Sequence, residues 1–115
     1  SFGFLNEGTG NTINSNVASQ TLNHDATYVY SSDKSGVVNN NTTLTSTGSF
    51  NYGLYSAGTV RNNADINFGT GLGNVGIYST HGGTATNSVG RSVTVGASYI
   101  DPNNSLNNRY AVGTQ

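Results

Sequence analysis

Cysteine is absent, proline occurs once at Pro102, and charged side chains make up only 8% of the 115 residues. The lack of cysteine removes disulfide frameworks, thiolate metal sites and cysteine nucleophiles together. The four bases, Lys34, Arg61, Arg91 and Arg109, stand apart from one another, and with the five acids they leave a formal net charge of −1. Isolated bases leave no electrostatic footprint for a phosphate backbone, so nucleic acid is not an expected partner. No apolar run approaches the roughly 18 residues of a membrane-spanning helix, so direct membrane insertion is not expected either. No charged segment with an apolar stretch behind it opens the chain. Hydrophobic residues reach 33%, below the roughly 45–50% of globular chains, a figure that also counts Gly. Disorder usually combines low hydrophobicity with high net charge, and here the charge is near zero.

What the chain does contain is small and polar: Asn, Thr, Ser and Gly fill 63 of the 115 positions. Its apolar residues recur at intervals. The segments Phe2-Gly3-Phe4-Leu5-Asn6, Thr27-Tyr28-Val29-Tyr30-Ser31, Tyr52-Gly53-Leu54-Tyr55-Ser56 and Val75-Gly76-Ile77-Tyr78-Ser79 align without gaps, and Tyr110-Ala111-Val112-Gly113-Thr114 follows. Between Phe4, Val29, Leu54, Ile77 and Val112 the steps are 25, 25, 23 and 35 residues. A second register runs through Ile13-Asn14, Val38-Asn39, Arg61-Asn62 and Thr86-Asn87. Short alternating stretches such as Ser92-Val93-Thr94-Val95 carry the period-2 signal of half-buried strands, and Gly/Asn-rich segments mark corners. Helical spacing of apolar residues is missing, and Gly, Asn, Thr and Ser are poor helix formers.

A strand-rich unit of this length holds too few apolar side chains to form a core alone, so copies must stack. The expected fold is an all-β, single-chain, right-handed parallel β-helix spanning 1–115, a fragment of a larger domain with coils near 1–26, 27–50, 51–73, 74–108 and a partial coil at 109–115. Equivalent residues then lie over one another. Phe4, Val29, Leu54, Ile77 and Val112 form one expected inward stack, with Val37, Val60 and Ala85 in another. Asn14, Asn39, Asn62 and Asn87 form an expected structural amide ladder, each carbonyl accepting from the next NH₂. Ser98 to Asn108 holds the proline and most of the extra length of the 35-residue step. It reads as a loop leaving the coil, in which Tyr99, Asp101, Asn103 and Asn104 are the candidate partner-binding residues. Raw sheet edges at the two ends suggest end-to-end self-association.

The residues from Asn74 to Ser88, followed by Ser92-Val93-Thr94-Val95-Gly96-Ala97-Ser98 and preceded one coil earlier by Tyr52 to Asn63, resemble the passenger repeats of large fusobacterial type Va autotransporter adhesins. Tyr28 departs from the pattern, since the other coils have Gly3, Gly53 and Gly76 there. The resemblance implies a β-helical passenger exported through an outer-membrane barrel and displayed on the bacterial surface. It also implies attachment to, or coaggregation with, a host or bacterial surface protein or glycan. The segments Ser92 to Gly96 and Arg109 to Gly113 faintly resemble the heads of trimeric autotransporters, a second architecture for the same role.

Catalysis has little to use. No two of the five acids fall at equivalent coil positions, so no carboxylate pair is suggested, and a carbohydrate-active β-helix such as a lyase or tailspike is the alternative that would need one. His24-Asp25 lacks a nucleophile elbow and reads as a turn, His81 as a corner residue. No calcium repeat or clustered metal ligands occur, so neither catalytic residues nor a cofactor or metal is expected. Tyr30, Tyr55 and Tyr78, with Leu5 before them, align as an aromatic column that either packs on itself or holds a sugar or protein partner. Asn40-Asn41-Thr42 and Asn103-Asn104-Ser105 match the glycosylation pattern, as chance provides in so Asn-rich a chain. The chain opens and closes inside repeat-like segments, so an export signal or anchor is expected in flanking sequence.

Overall fold

The computed structural model describes residues 2–104, and every regular element among them is a strand. Three strands form each winding: β1 (Phe2–Asn6), β2 (Thr12–Ser15) and β3 (Ser19–Leu22) in the first, β4 (Thr27–Ser31), β5 (Val37–Asn40) and β6 (Thr43–Ser46) in the second. The third holds β7 (Tyr52–Ser56), β8 (Thr59–Asn62) and β9 (Ile66–Leu72), the fourth β10 (Val75–Ser79), β11 (Thr84–Asn87) and β12 (Val93–Ala97). They pair in parallel as three four-stranded sheets, β1-β4-β7-β10, β2-β5-β8-β11 and β3-β6-β9-β12. The chain is therefore a parallel β-solenoid of roughly four turns, each of about 25 residues.

Register turns the sequence repeat into columns. Phe4, Val29, Leu54 and Ile77 lie over one another in the first sheet, with Val29 and Leu54 fully buried. Val112 lies outside the described residues. In the second sheet the inward column is Ile13, Val38, Val60 and Ala85. Val37, expected there, instead pairs with Thr12 and Thr59 and is only half-buried. Successive strand side chains face opposite sides, so a one-residue slip exchanges inside for outside. In the third sheet Leu44 and Ile66 stack fully buried, beneath Val93.

Tyr28 is an inward residue as well, and its neighbours explain how it fits. A Cβ on Gly3 would lie 2.9 Å from Cδ1 of the Tyr28 ring, so the first winding makes room by having no side chain there. The ring is 5% exposed, and its hydroxyl sits 2.7 Å from Ser15 Oγ, which in turn lies 2.7 Å from Thr42 Oγ1. A buried phenol finds a buried partner, as it must.

The corner between the second and third sheets is built from amides, and it corrects the expected ladder. Asn14 pairs with Asn39, whose Nδ2 donates to Asn14 Oδ1 at 3.0 Å, but the next residue of that column is Arg61 and then Thr86. Asn62 and Asn87 belong to the neighbouring column, Ser15, Asn40, Asn62 and Asn87. There Asn40 Nδ2 donates to Asn62 Oδ1 at 2.9 Å and Asn62 Nδ2 to Asn87 Oδ1 at 2.8 Å. The same amides also donate to the carbonyls of Thr42 and Ala64. So Asn14, Asn39, Asn62 and Asn87 form two columns rather than one, the second of them buried at Asn40 and Asn62 and exposed at Asn87. A third ladder runs outside it, Asn41 donating to Asn16 and Asn63 to Asn41.

Buried polar groups that lose a partner cost about 1–3 kcal/mol each. Asn62→Ala strips an acceptor from Asn40 and donors from Asn87 and Ala64, and is expected to destabilise the chain by about 2–3 kcal/mol. Asn14→Ala, on the outer column, is expected to stay within about 0.5 kcal/mol of the parent. Urea unfolding of the two variants checks this, and equal losses would contradict the two-column register.

Candidate functional site

The titratable side chains are spread through the solenoid. Among the described residues no three of His, Cys, Asp or Glu come together closely enough to hold a metal ion. Asp33 accepts from the hydroxyl and the N–H of Ser35, and these bonds, aided by Lys34, hold its carboxyl below the ordinary value of 3.8. Asp65 Oδ1 accepts from the Ser92 N–H at 3.0 Å and lies 4.0 Å from Arg91 Nε. Asp25 takes a left-handed corner conformation and donates its N–H to Ser49 O, while the His24 ring packs edge-on against Phe50. Asp33 thus serves its own turn, whereas Asp65 joins the third winding to the fourth.

The predicted loop residues separate into two groups. Tyr99 does not project: it is half-buried and meets Phe50 edge-on, with ring centroids 5.2 Å apart. This contact lies beside a corner column. Asp25, Phe50 and Gly73 occupy equivalent corners before β4, β7 and β10, all with positive φ. Gly73 has no side chain, and a Cβ there would lie 3.0 Å from the Phe50 ring and 3.1 Å from Tyr99 Cβ. The fourth winding thus closes through Tyr99, and the extra residues begin after it, at the exposed Ile100. Asp101 then caps a turn, accepting from the Asn103 N–H at 2.9 Å, and Asn103 and Asn104 are exposed. Residues 105–108 of the expected loop lie outside the described residues. Of the two glycosylation patterns, the one at Asn40 is closed to any enzyme, since Asn40 and Thr42 are fully buried.

On the outer face of the first sheet the aligned tyrosines form a stack. Tyr30 and Tyr55 have ring centroids 5.0 Å apart at 28°, Tyr55 and Tyr78 4.9 Å at 19°. Tyr52 meets Tyr55 and Tyr78 edge-on, and Phe2 leans on Tyr30. These separations match the roughly 4.8 Å between neighbouring strands, so the stack follows from register. Both faces of Tyr55 are covered by its neighbours, which leaves ring edges and hydroxyls for any visitor.

Two features escaped the sequence reading. Asn51 and Asn74, both buried, stand at the corner just before β7 and β10. Asn51 Oδ1 accepts from the Ala26 N–H at 2.9 Å and Asn74 Oδ1 from the Asn51 N–H at 2.8 Å, tying each winding to the next. Their 23-residue spacing, equal to the repeat step there, was the available signal. The other feature is a notch. The corner between the first and second sheets has five residues in the first two windings (7–11 and 32–36) and four in the last (80–83), but only two in the third (57–58). A cleft of about 280 Å³ opens there, bounded by Lys34 on one side, His81 on the other, and Gly58, Thr59, Gly83 and Thr84 beneath. A larger hollow of about 530 Å³ lies at the first winding, beside Phe2, Phe4 and Val17.

The tyrosine stack makes stability depend on alkaline pH. Burial, then the neighbouring rings of Tyr78, Tyr30 and Tyr52, raise the Tyr55 pKa above the ordinary 10.0. The folded chain then holds this proton more tightly than the unfolded one, so the contribution is complete below pH 10.0 and is lost as pH rises through the raised pKa. Thermal unfolding between about pH 8 and 11 is expected to show a falling midpoint that Tyr55→Phe makes shallower. An unchanged slope in the variant would contradict it. No family model, curated protein or solved structure matches this chain.

Proposed function

We propose that the chain is a structural and recognition segment of a bacterial surface adhesin, an exported passenger that mediates cell attachment or coaggregation. The observation that carries the reading is a continuous polar-laddered solenoid in which Asp33 is engaged within its own turn and Asp65 ties one winding to the next. Such a body suits a stiff stalk that presents corners and loops to a partner. The likeness of residues 52–98 to autotransporter passenger repeats supplies the surface location and the class of partner, a host or bacterial surface protein or glycan. Asn103 and Asn104 are exposed beside the half-buried Asp101 and can contribute contacts.

Two other readings have weaker support. A carbohydrate-active β-helix needs acids facing one another, whereas Asp33 is bonded within its own turn and Asp65 to Ser92 of the next winding. A trimeric head needs neighbouring chains to complete its core, whereas Val29, Val38, Leu44, Leu54, Val60 and Ile66 are fully buried within one chain. The reading retains end-to-end association, because Phe2, Leu5 and Val17 are each more than half exposed at the first winding.

The chain fused to an outer-membrane barrel and displayed on a non-adherent bacterium is expected to raise attachment to epithelial cells, or coaggregation with other bacteria, several-fold. Soluble chain added in excess should reverse the gain. Display without any gain in either assay would remove the adhesin reading. Sedimentation is expected to give no obligate trimer, and a concentration-independent trimer would favour the second architecture.

A further inference from the structure

The third winding is shortened at one corner only, and its strands keep register with their neighbours on both sides, Thr59 pairing with Val37 and Thr84. Each winding occupies about 4.8 Å along the axis, so a missing projection leaves a slot one layer thick between turns about 9.6 Å apart. One sugar ring or one extended peptide fills such a slot.

The floor cannot fill it. A Cβ on Gly58 would fall 2.2 Å from the carbonyl oxygen of Gly36, and one on Gly83 would fall 2.6 Å from that of Gly58. Its backbone groups are also spent, the Gly58 N–H donating to Ser56 Oγ and its carbonyl accepting from Thr84. Recognition therefore belongs to the walls and to two hydroxyls. Lys34 makes no hydrogen bond or ion pair among the described residues, whereas Arg61 is held by Asn39 and Arg91 faces Asp65. The adjacent Asp33 carboxylate is occupied by Ser35. Opposite Lys34, His81 keeps φ at 53°, a conformation costly for a side chain with a Cβ, in a turn closed by the Gly83 N–H to Thr80 O at 2.9 Å. Strain retained at a cavity wall is a reason to look for a ligand there. Thr59 and Thr84 lie in register below, with hydroxyls free of other hydrogen bonds among the described residues.

We propose that this notch binds an acidic sugar: Lys34 faces the carboxylate, His81 lies against the ring, and Thr59 and Thr84 hydrogen-bond its hydroxyls. A cation outside any ion pair would by itself suit any anion, but a cation beside paired hydroxyls in a one-ring slot suits a polyol that carries a carboxylate. The inference stands on the geometry of the corner and does not require surface display.

The test is titration of the isotope-labelled chain with glucuronate, read by amide shifts, with glucose, acetate and a short glutamate peptide as controls. Saturable shifts are expected at residues 34, 58–59 and 81–84, with glucose and acetate each at least tenfold weaker. Lys34→Ala should weaken glucuronate at least tenfold. His81→Gly should do the same while leaving the thermal midpoint equal or higher, which separates a binding role from a structural one. Three residues inserted between Ala57 and Gly58 should abolish the shifts with the strand resonances unchanged. No saturable shift, equal binding of acetate or glucose, tighter binding of the peptide, or full binding by the insertion variant would each overturn the assignment.

Discussion

Parallel in-register pairing is the constraint from which the rest follows. Once the backbone of each winding is hydrogen-bonded to the next, every side chain sits about 4.8 Å from its equivalents, and a residue type is acceptable only where it tolerates its own column. Apolar residues do so inside, at Val29 over Leu54 or Leu44 over Ile66. Asparagine does so at corners, because an amide is both donor and acceptor and can bond to a copy of itself, as Asn40, Asn62 and Asn87 do. Tyrosine does so on the outer face, through stacked rings.

The same constraint accounts for the scarcity of charge. Two like charges at the strand spacing repel by roughly 1 kcal/mol even in water, and more where water is partly excluded. A column therefore tolerates one charged residue only if its neighbours are neutral. Arg61 lies between Asn39 and Thr86 in its column, and Asp25 is followed at the equivalent corner by Phe50. A composition that resembles low complexity is thus what self-stacking selects: uncharged residues that can neighbour copies of themselves.

How far the sequence reveals the structure depends on how distinctive each column is. The column through Phe4, Val29, Leu54 and Ile77 was legible because Tyr and Ser follow its apolar residue in three windings. The amide columns were harder to read, since Val38-Asn39-Asn40 and Arg61-Asn62-Asn63 each carry two adjacent asparagines, and either pairing looks sound in one dimension. The deciding fact is where the shortening falls. Between Asn40 and Asn62 the step is 22 residues, because three residues are lost at the preceding corner. Tyr99 was misplaced for a related reason, because the contact that draws it in is a ring two layers back meeting it across a glycine.

Shortening at a corner also shows where such a solenoid can vary. Loss of three residues inside a strand would shift every later column by an odd number and turn its apolar side chains outward. The same loss at the third corner leaves Ser31, Ser56 and Ser79 in one column and Val38 and Val60 in another, with core residues on both sides fully buried. The strands are bound by their neighbours, whereas the corners answer only to the requirement that the chain turn. Irregularity is therefore inexpensive there, although β9 and β12 also shift register between Val95 and Ala97, so corners such as 57–58 and residues 100–104 are where one winding most readily differs from the next as a recognition surface.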